Sequence, residues 1–249
     1  MKPGDIIFIS ASVPSREGWR EDARPAEIEE AIVSLARAVF ARGGRLLFGG
    51  HPSVSYLISS VAGEYFEPDP ARSVRPVITF QSEFFRPVLP DETWLLYRMG
   101  WSSIEWTGKR PADGESDRDA SLRLMREWML LGPDLPTDVR RRNELAPPKA
   151  MVAIGGMEGV MEEARIFLEH ARLWDVAEPS KIYVVPSGGG AAARLLDSDD
   201  RPLKDAREAG RIIDLERLWA EHHSRARLEN APFVPYASIV QYMLDNLRG

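Results

Sequence analysis

The sequence predicts an α/β protein: a doubly wound, mostly parallel sheet with helices on both faces, followed by a helical C-terminal extension. Three observations carry that prediction. Short apolar runs alternate with amphipathic helical stretches through the first 195 or so residues. Almost every run ends in small, Gly-rich or hydroxylated residues. Neither an internal repeat nor a low-complexity block interrupts the pattern. The expected organisation is a domain over residues 1–196 and a charged, mostly helical extension over 197–249 packed on that same domain.

Asp5 to Ser10 is a β-branched, aromatic run that predicts a buried strand. Pro25 opens a helix whose Ile28, Ile32, Leu35, Ala36, Val39 and Phe40 form one apolar stripe. Gly43-Gly44 ends it, and Arg45 to Phe48 makes a second strand running into Gly49-Gly50. A helix over Pro52 to Phe66 and a Pro-interrupted linker, Glu67 to Arg75, come next. Pro76 to Phe80 and Ser103 to Trp106 are two more strands, with a short helix near Thr93 between them. Asp119 to Leu131 reads as a helix and Gly132 to Pro148 as a Pro-rich loop. Lys149 to Ile154 is a strand feeding Gly155-Gly156, and Val160 to Leu173 is a helix. Lys181 to Val185 is expected to be the last strand, followed by Pro186 to Gly190 and another helix.

Composition narrows the function classes. The chain has 249 residues and no cysteine, so disulfides, Cys-ligated zinc, iron–sulfur clusters and a thiol nucleophile are excluded. A net charge of −6 argues against bulk nucleic acid as the main partner. No segment reaches the roughly 18 uninterrupted apolar residues of a membrane span, and the N-terminus lacks the apolar core of a signal peptide. A soluble, cytoplasmic protein is expected. The histidines have no metal-ligand spacing, so no metal and no cofactor are expected.

In an open parallel sheet, ligands bind outside the carboxyl ends of the strands. Those ends read Ser10-Ala11-Ser12, Gly49-Gly50-His51, Gln81-Ser82-Glu83, Thr107-Gly108-Lys109, Gly155-Gly156-Met157 and Ser187-Gly188-Gly189. Glycines that lead into a helix let backbone N–H groups approach an anion. A single Gly-Gly explains no more than a tight turn; three at one edge point to a phosphate-containing ligand. Neither a dinucleotide GxGxxG fingerprint nor a Walker A motif is present.

Glu163 stands out. Val160, Ala164, Phe167, Leu168 and Ala171 define the buried stripe of its helix, and Glu163 falls on that apolar side. Glu158, Glu162, Arg165, Glu169 and Arg172 fall on the opposite, solvated face. A buried carboxylate needs a partner. Arg126 is the expected one, on the preceding helix, where Arg123 and Arg126 share a face at i, i+3. The pair reads either as a structural ion pair or as ligand-binding and catalytic groups. His51 could donate to a phosphate or stack on a base, or be structural. Arg140-Arg141-Arg142 reads as solvated, and Trp94, Trp101 and Trp106 as core or subunit interface.

Six motifs occur in order: ISASVP from Ile9, FGGHP from Phe48, QSEFF from Gln81, SLRLMR from Ser121, IGGMEGVMEE from Ile154 and PSGG from Pro186. Together they resemble the SLOG superfamily, the SMF/DprA–LOG group of Rossmann-like domains, and most of all the set called SLOG cluster 3. The resemblance covers roughly residues 5–196 and implies a Rossmann-like fold. LOG-type enzymes in this superfamily cleave the N-glycosidic bond of a nucleoside 5′-monophosphate, using a helix Arg and a PGGxGTxxE motif. By resemblance, Gly155, Gly156 and Gly159 correspond to the motif's glycines, Glu163 to its Glu, and Arg126, with Arg123 as the alternative, to the helix Arg. Ile154 stands where the motif has Pro, one extra residue precedes Gly159, and Val160 replaces the Thr hydroxyl.

Other SLOG domains are similar in fold but act as sensors, including those of Thoeris-type antiphage systems that bind cyclic ADP-ribose-like signals. The resemblance therefore implies a nucleotide-like ligand of the ADP-ribose, cyclic ADP-ribose or NAD-related class, a homo-oligomer and a separate effector protein. The expected binding residues are Ser10, Ser12, Gly49, Gly50, His51, Gln81, Ser82, Arg123, Arg126, Gly155, Gly156, Gly159, Ser187, Gly188 and Gly189. Glu163 and Arg126 would be catalytic if the protein is an enzyme, a nucleotide N-glycosidase.

Overall fold

The computed structural model describes residues 1–109, 116–130, 145–170, 181–223 and 234–247. Its strands are β1 (Ile6–Ser12), β2 (Arg45–Phe48), β3 (Val77–Ser82), β4 (Ser102–Thr107), β5 (Ala150–Gly155), β6 (Lys181–Val185) and β7 (Ile212–Asp214). All pair in parallel, in the order β4-β3-β2-β1-β5-β6-β7. The chain thus winds outward from β1 in one direction through β4, then returns to β1's other side with β5. The reversal between β1 and β5 is the topological switch point of a Rossmann-like sheet.

The helices are α1 (Pro25–Ala41), α2 (Pro52–Tyr65), α3 (Asp91–Arg98), α4 (Asp117–Leu130), α5 (Glu158–His170), α6 (Gly190–Leu195), α7 (Arg201–Glu208), α8 (Leu215–His222) and α9 (Tyr236–Asn246), with a 3-10 turn at Glu83–Val88. Strand side chains alternate between two cores, as a period of two requires. Ile7, Ile9, Leu46, Phe48, Val152 and Ile154 face α1, α2, α8 and α9. Ile6, Phe8, Leu47, Phe80, Met151 and Ala153 face α4, α5, α6 and α7. Near-continuous apolar strands buried on both faces are what a parallel sheet demands.

Proline at N1 starts α1 and α2, where its missing N–H costs nothing. His51 caps α2, its side chain accepting from the Ser53 N–H. One expectation is corrected. Lys181–Val185 is not the last strand, because Ile212–Asp214 adds β7 beside β6 within the region read as helical. Three residues are too few to show a period, and only pairing with β6 makes them a strand. The Pro-rich stretch with Arg140 to Arg142, and the end of the helix expected to reach Leu173, lie outside the described residues. Trp101 packs in the core beneath Gly63, while Trp94 rests on Trp106 with ring centroids 6.0 Å apart.

Candidate functional site

The carboxyl ends of β1, β2 and β3 open into a cavity of about 680 Å³, roofed by α4 and the first turns of α5. It lies beside the switch point, where the strand order leaves room for a ligand. Part of its wall is apolar: Phe48, Phe85, Leu89, Pro90, Leu122 and Met125. The rest carries charge: Arg123 and Arg126, from the same helix α4 as Leu122 and Met125, meet Glu162 and Glu163 of α5, and Arg16 meets Glu158.

Glu163 and Arg126 meet as the sequence predicts. Arg126 Nε donates to Glu163 Oε1 at 3.3 Å, and Ser10 Oγ donates to Glu163 Oε2 at 2.5 Å. Both side chains of the ion pair are mostly buried, 15% and 14% exposed. Gly159 gives the arginine room. A β-carbon at that position would lie 2.6 Å from Arg126 Nη2, so a larger residue there would push the end of the guanidinium aside from the first turn of α5. This steric role differs from the amide cradle expected for Gly159.

Glu162 corrects the helical-wheel reading. It does not sit on a plainly solvated face; its carboxylate takes a hydrogen bond from Arg126 Nη1, lies 3.8 Å from Arg123 Nε and lines the cavity. Glu158 likewise lines the cavity, paired with Arg16 and accepting from the Trp19 indole N–H at 2.8 Å. The helix wheel separates only core from non-core, and a cavity under α4 is neither bulk solvent nor core. Arg16, on the loop after β1, is a cavity residue the sequence reading missed, as are Phe85, Leu89 and Arg118. No sequence signal marks them, because loop and helix are brought together only by the fold.

Of the remaining expected residues, Ser12, Gly49, Gly50, His51, Gln81 and Arg123 line the cavity. Gln81 is held by its own neighbourhood: Nε2 donates to the Gly49 carbonyl and Oε1 accepts from the Ser82 N–H. Burial lowers the His51 pKa, and Nδ1 lies 3.3 Å from the Ser53 N–H, which donates to it, and 2.9 Å from Ser53 Oγ. Ser82 is fully buried and caps the 3-10 turn instead of facing the cavity. Ser10 reaches the cavity only through Glu163.

Gly155, Gly156 and Ser187 to Gly189 are not cavity-lining. The Gly156 N–H donates to the Ser12 carbonyl at 2.7 Å and its carbonyl accepts from Ala191. Ile28 of α1 wedges between Gly155 and Gly188, within 2.6 Å of where either β-carbon would stand. These glycines serve close helix–strand packing here. The Ser187 N–H donates to Glu216 Oε1 at 3.0 Å, and Ser187 Oγ lies 2.5 Å from the Tyr236 hydroxyl. The turn after β6 is therefore occupied by the chain's own C-terminal region.

Burial raises the Glu163 carboxyl above its ordinary value; the Arg126 charge and the Ser10 hydroxyl oppose this without cancelling it, and Glu162 adds to the rise. A carboxyl raised in the folded state binds its proton more tightly than the unfolded chain does. Its stabilising protonation is complete below the unfolded value and is lost as pH rises through the folded one. Glu163→Gln should therefore gain stability relative to wild type as pH rises from 4 to 8. Urea unfolding at several pH values checks this, and a pH-independent difference would refute it.

A family model described as the SLOG cluster3 family matches residues 18–220. The chain belongs to the SLOG cluster 3 family. Membership in SLOG cluster 3 supports a nucleotide-related ligand-binding or LOG-like domain. The solved X-ray structure of TM1055, a structural-genomics target, is similar with a TM-score of 0.46 and 13% identity over 80% of this chain and 88% of that one. No curated protein matches the sequence. Among the described residues, no helix is long and apolar enough to cross a membrane.

Proposed function

We propose that this SLOG cluster 3 protein binds a nucleotide-derived ligand of the ADP-ribose, cyclic ADP-ribose or NAD-related class. It would do so as the sensor of a bacterial conflict system that passes the signal to a separate effector. The observation that carries the reading is the mixed lining of the cavity. Its apolar residues, with Phe48, Phe85 and Leu122 among them, suit a base; its polar and charged residues, with Ser12, Arg16 and Glu163 among them, suit ribose hydroxyls and phosphate. At about 680 Å³ it falls within the usual range for a small-molecule pocket, about 300–1,000 Å³. Calorimetric titration with ADP-ribose, its cyclic isomers, NAD and AMP tests it. We expect heat from at least one, weakened tenfold or more in Leu122→Arg, which puts charge among the apolar residues; no heat from any of them at millimolar concentration refutes the reading.

A second reading rests on Glu163 with Arg126. A mostly buried carboxylate beside an arginine and facing a cavity can stabilise positive charge developing on ribose as an N-glycosidic bond breaks, water then adding to the sugar carbon. Base release from a panel of nucleoside monophosphates should then vanish in Glu163→Gln. A wild-type protein that binds nucleotide and releases no base leaves the sensor.

A further inference from the structure

An ion pair spans the switch-point crevice between β1 and β5. Arg16 comes from the loop that follows β1, and Glu158 is the first residue of α5, after β5. Both line the cavity. Glu158 also accepts from the Trp19 indole N–H, so one carboxylate fastens the β1–α1 loop to α5 at two points. On its other side the loop is anchored separately: the Arg194 guanidinium lies 4.1 Å from the Trp19 ring centroid and donates to the Gly18 carbonyl at 2.5 Å.

The arginines of the cavity differ in what it takes to free them. Arg126 is mostly buried and held by two carboxylates, so drawing it away would leave Glu163 buried without its partner. Arg118 lies over the Phe85 ring and pairs with its neighbour Asp119. Arg16 and Glu158 are 60% and 58% exposed, and exposed ion pairs contribute little to stability. Beyond Glu158, Arg16 has the Met157 sulfur 3.3 Å from its Nε, a weak acceptor. Exchanging Glu158 for a ligand anion therefore costs little at Arg16, because the released carboxylate is already at the water's edge.

Resting on the nucleotide-binding reading, we propose that Arg16 is the residue that grips the ligand's phosphate, and that Glu158 is its resting partner. A phosphate entering the crevice takes Arg16 from Glu158 by exchange of ion pairs. The two phosphate oxygens match the guanidinium fork, which a single carboxylate shared with an indole does not satisfy as well. Displaced from Arg16, Glu158 also releases Trp19, so the β1–α1 loop changes its attachment to α5 when the anion arrives and stays fixed through Arg194. Binding is thereby reported on the protein's outer surface.

Inorganic pyrophosphate is the probe, and tryptophan emission the readout, with Trp19→Phe identifying the signal among the seven tryptophans. The wild type should show a saturable emission change that Trp19→Phe lacks. Arg16→Gln should raise the midpoint at least tenfold, and Glu158→Gln, which removes the competing charge, should lower it about three- to tenfold. Both substitutions lie at exposed positions, and circular dichroism confirms that the variants are folded. Absence of a pyrophosphate response in the wild type and in Glu158→Gln overturns the proposal, as do equal midpoints in all three proteins. Nucleotide binding that Arg16→Gln leaves intact overturns this role for Arg16 while the nucleotide reading stands. A pyrophosphate response as expected, with no nucleotide bound, refutes the nucleotide reading alone.

Discussion

Arg126→Ala is expected to lower stability at pH 7.5 by about 3 kcal/mol, the low end of what removing one partner of a buried ion pair costs. For a chain of this size that is on the order of 10 °C in melting temperature. The loss comes less from the arginine's own contacts than from what it leaves behind. Glu163 keeps only the Ser10 hydroxyl, and Glu162, next to it, adds repulsion. Two further measurements separate this cause from simple truncation. The deficit should shrink as the pH falls and Glu163 takes up a proton, and Arg126→Ala combined with Glu163→Gln should recover most of it. Arg123→Ala, half-exposed and 3.8 Å from Glu162, should change stability by less than about 0.5 kcal/mol. A deficit independent of pH, unrelieved by the second substitution, would mean that burial of charge is not what Arg126 compensates.

Tyr236→Ala should cost about 3–5 kcal/mol, the loss typical of emptying a buried aromatic site. Its ring is 1% exposed in the core that α1, α2, α8 and α9 share. Its hydroxyl donates to Glu27 of α1 at 2.5 Å and lies 2.5 Å from Ser187 Oγ after β6, and burial raises its pKa. Tyr236→Phe should lose only about 1–2 kcal/mol, because the packing remains and the two partners lose one hydroxyl. Chemical denaturation checks both. A single transition, shifted in Tyr236→Ala, is expected if residues 197–249 unfold with the domain before them. Two transitions, or no shift, would make the extension a separate unit.

How much of this was legible in the sequence follows from the range of the forces involved. The alternation of elements, the parallel sheet and the place of Glu163 on the apolar side of its helix come from local periodicity, because burying a strand on both faces or a helix on one leaves a pattern within a few residues. The glycine turns were equally visible, but their purpose was not. Gly159 makes room for Arg126, whereas Gly155 and Gly188 make room for Ile28, and nothing near them in sequence separates the two. β7 escaped notice because three residues carry no period.

The sequence by itself determined the fold class, the sheet edge where a ligand would bind and the buried acid with its arginine. Only the tertiary structure decided which strand ends share one cavity, that the turn after β6 is filled by Tyr236 and Glu216, and that Glu162 and Arg16 line that cavity. Those choices depend on how loops and helices far apart in the chain cross over the sheet. Local propensity and hydrophobic pattern do not encode that crossing; the packing of the whole does.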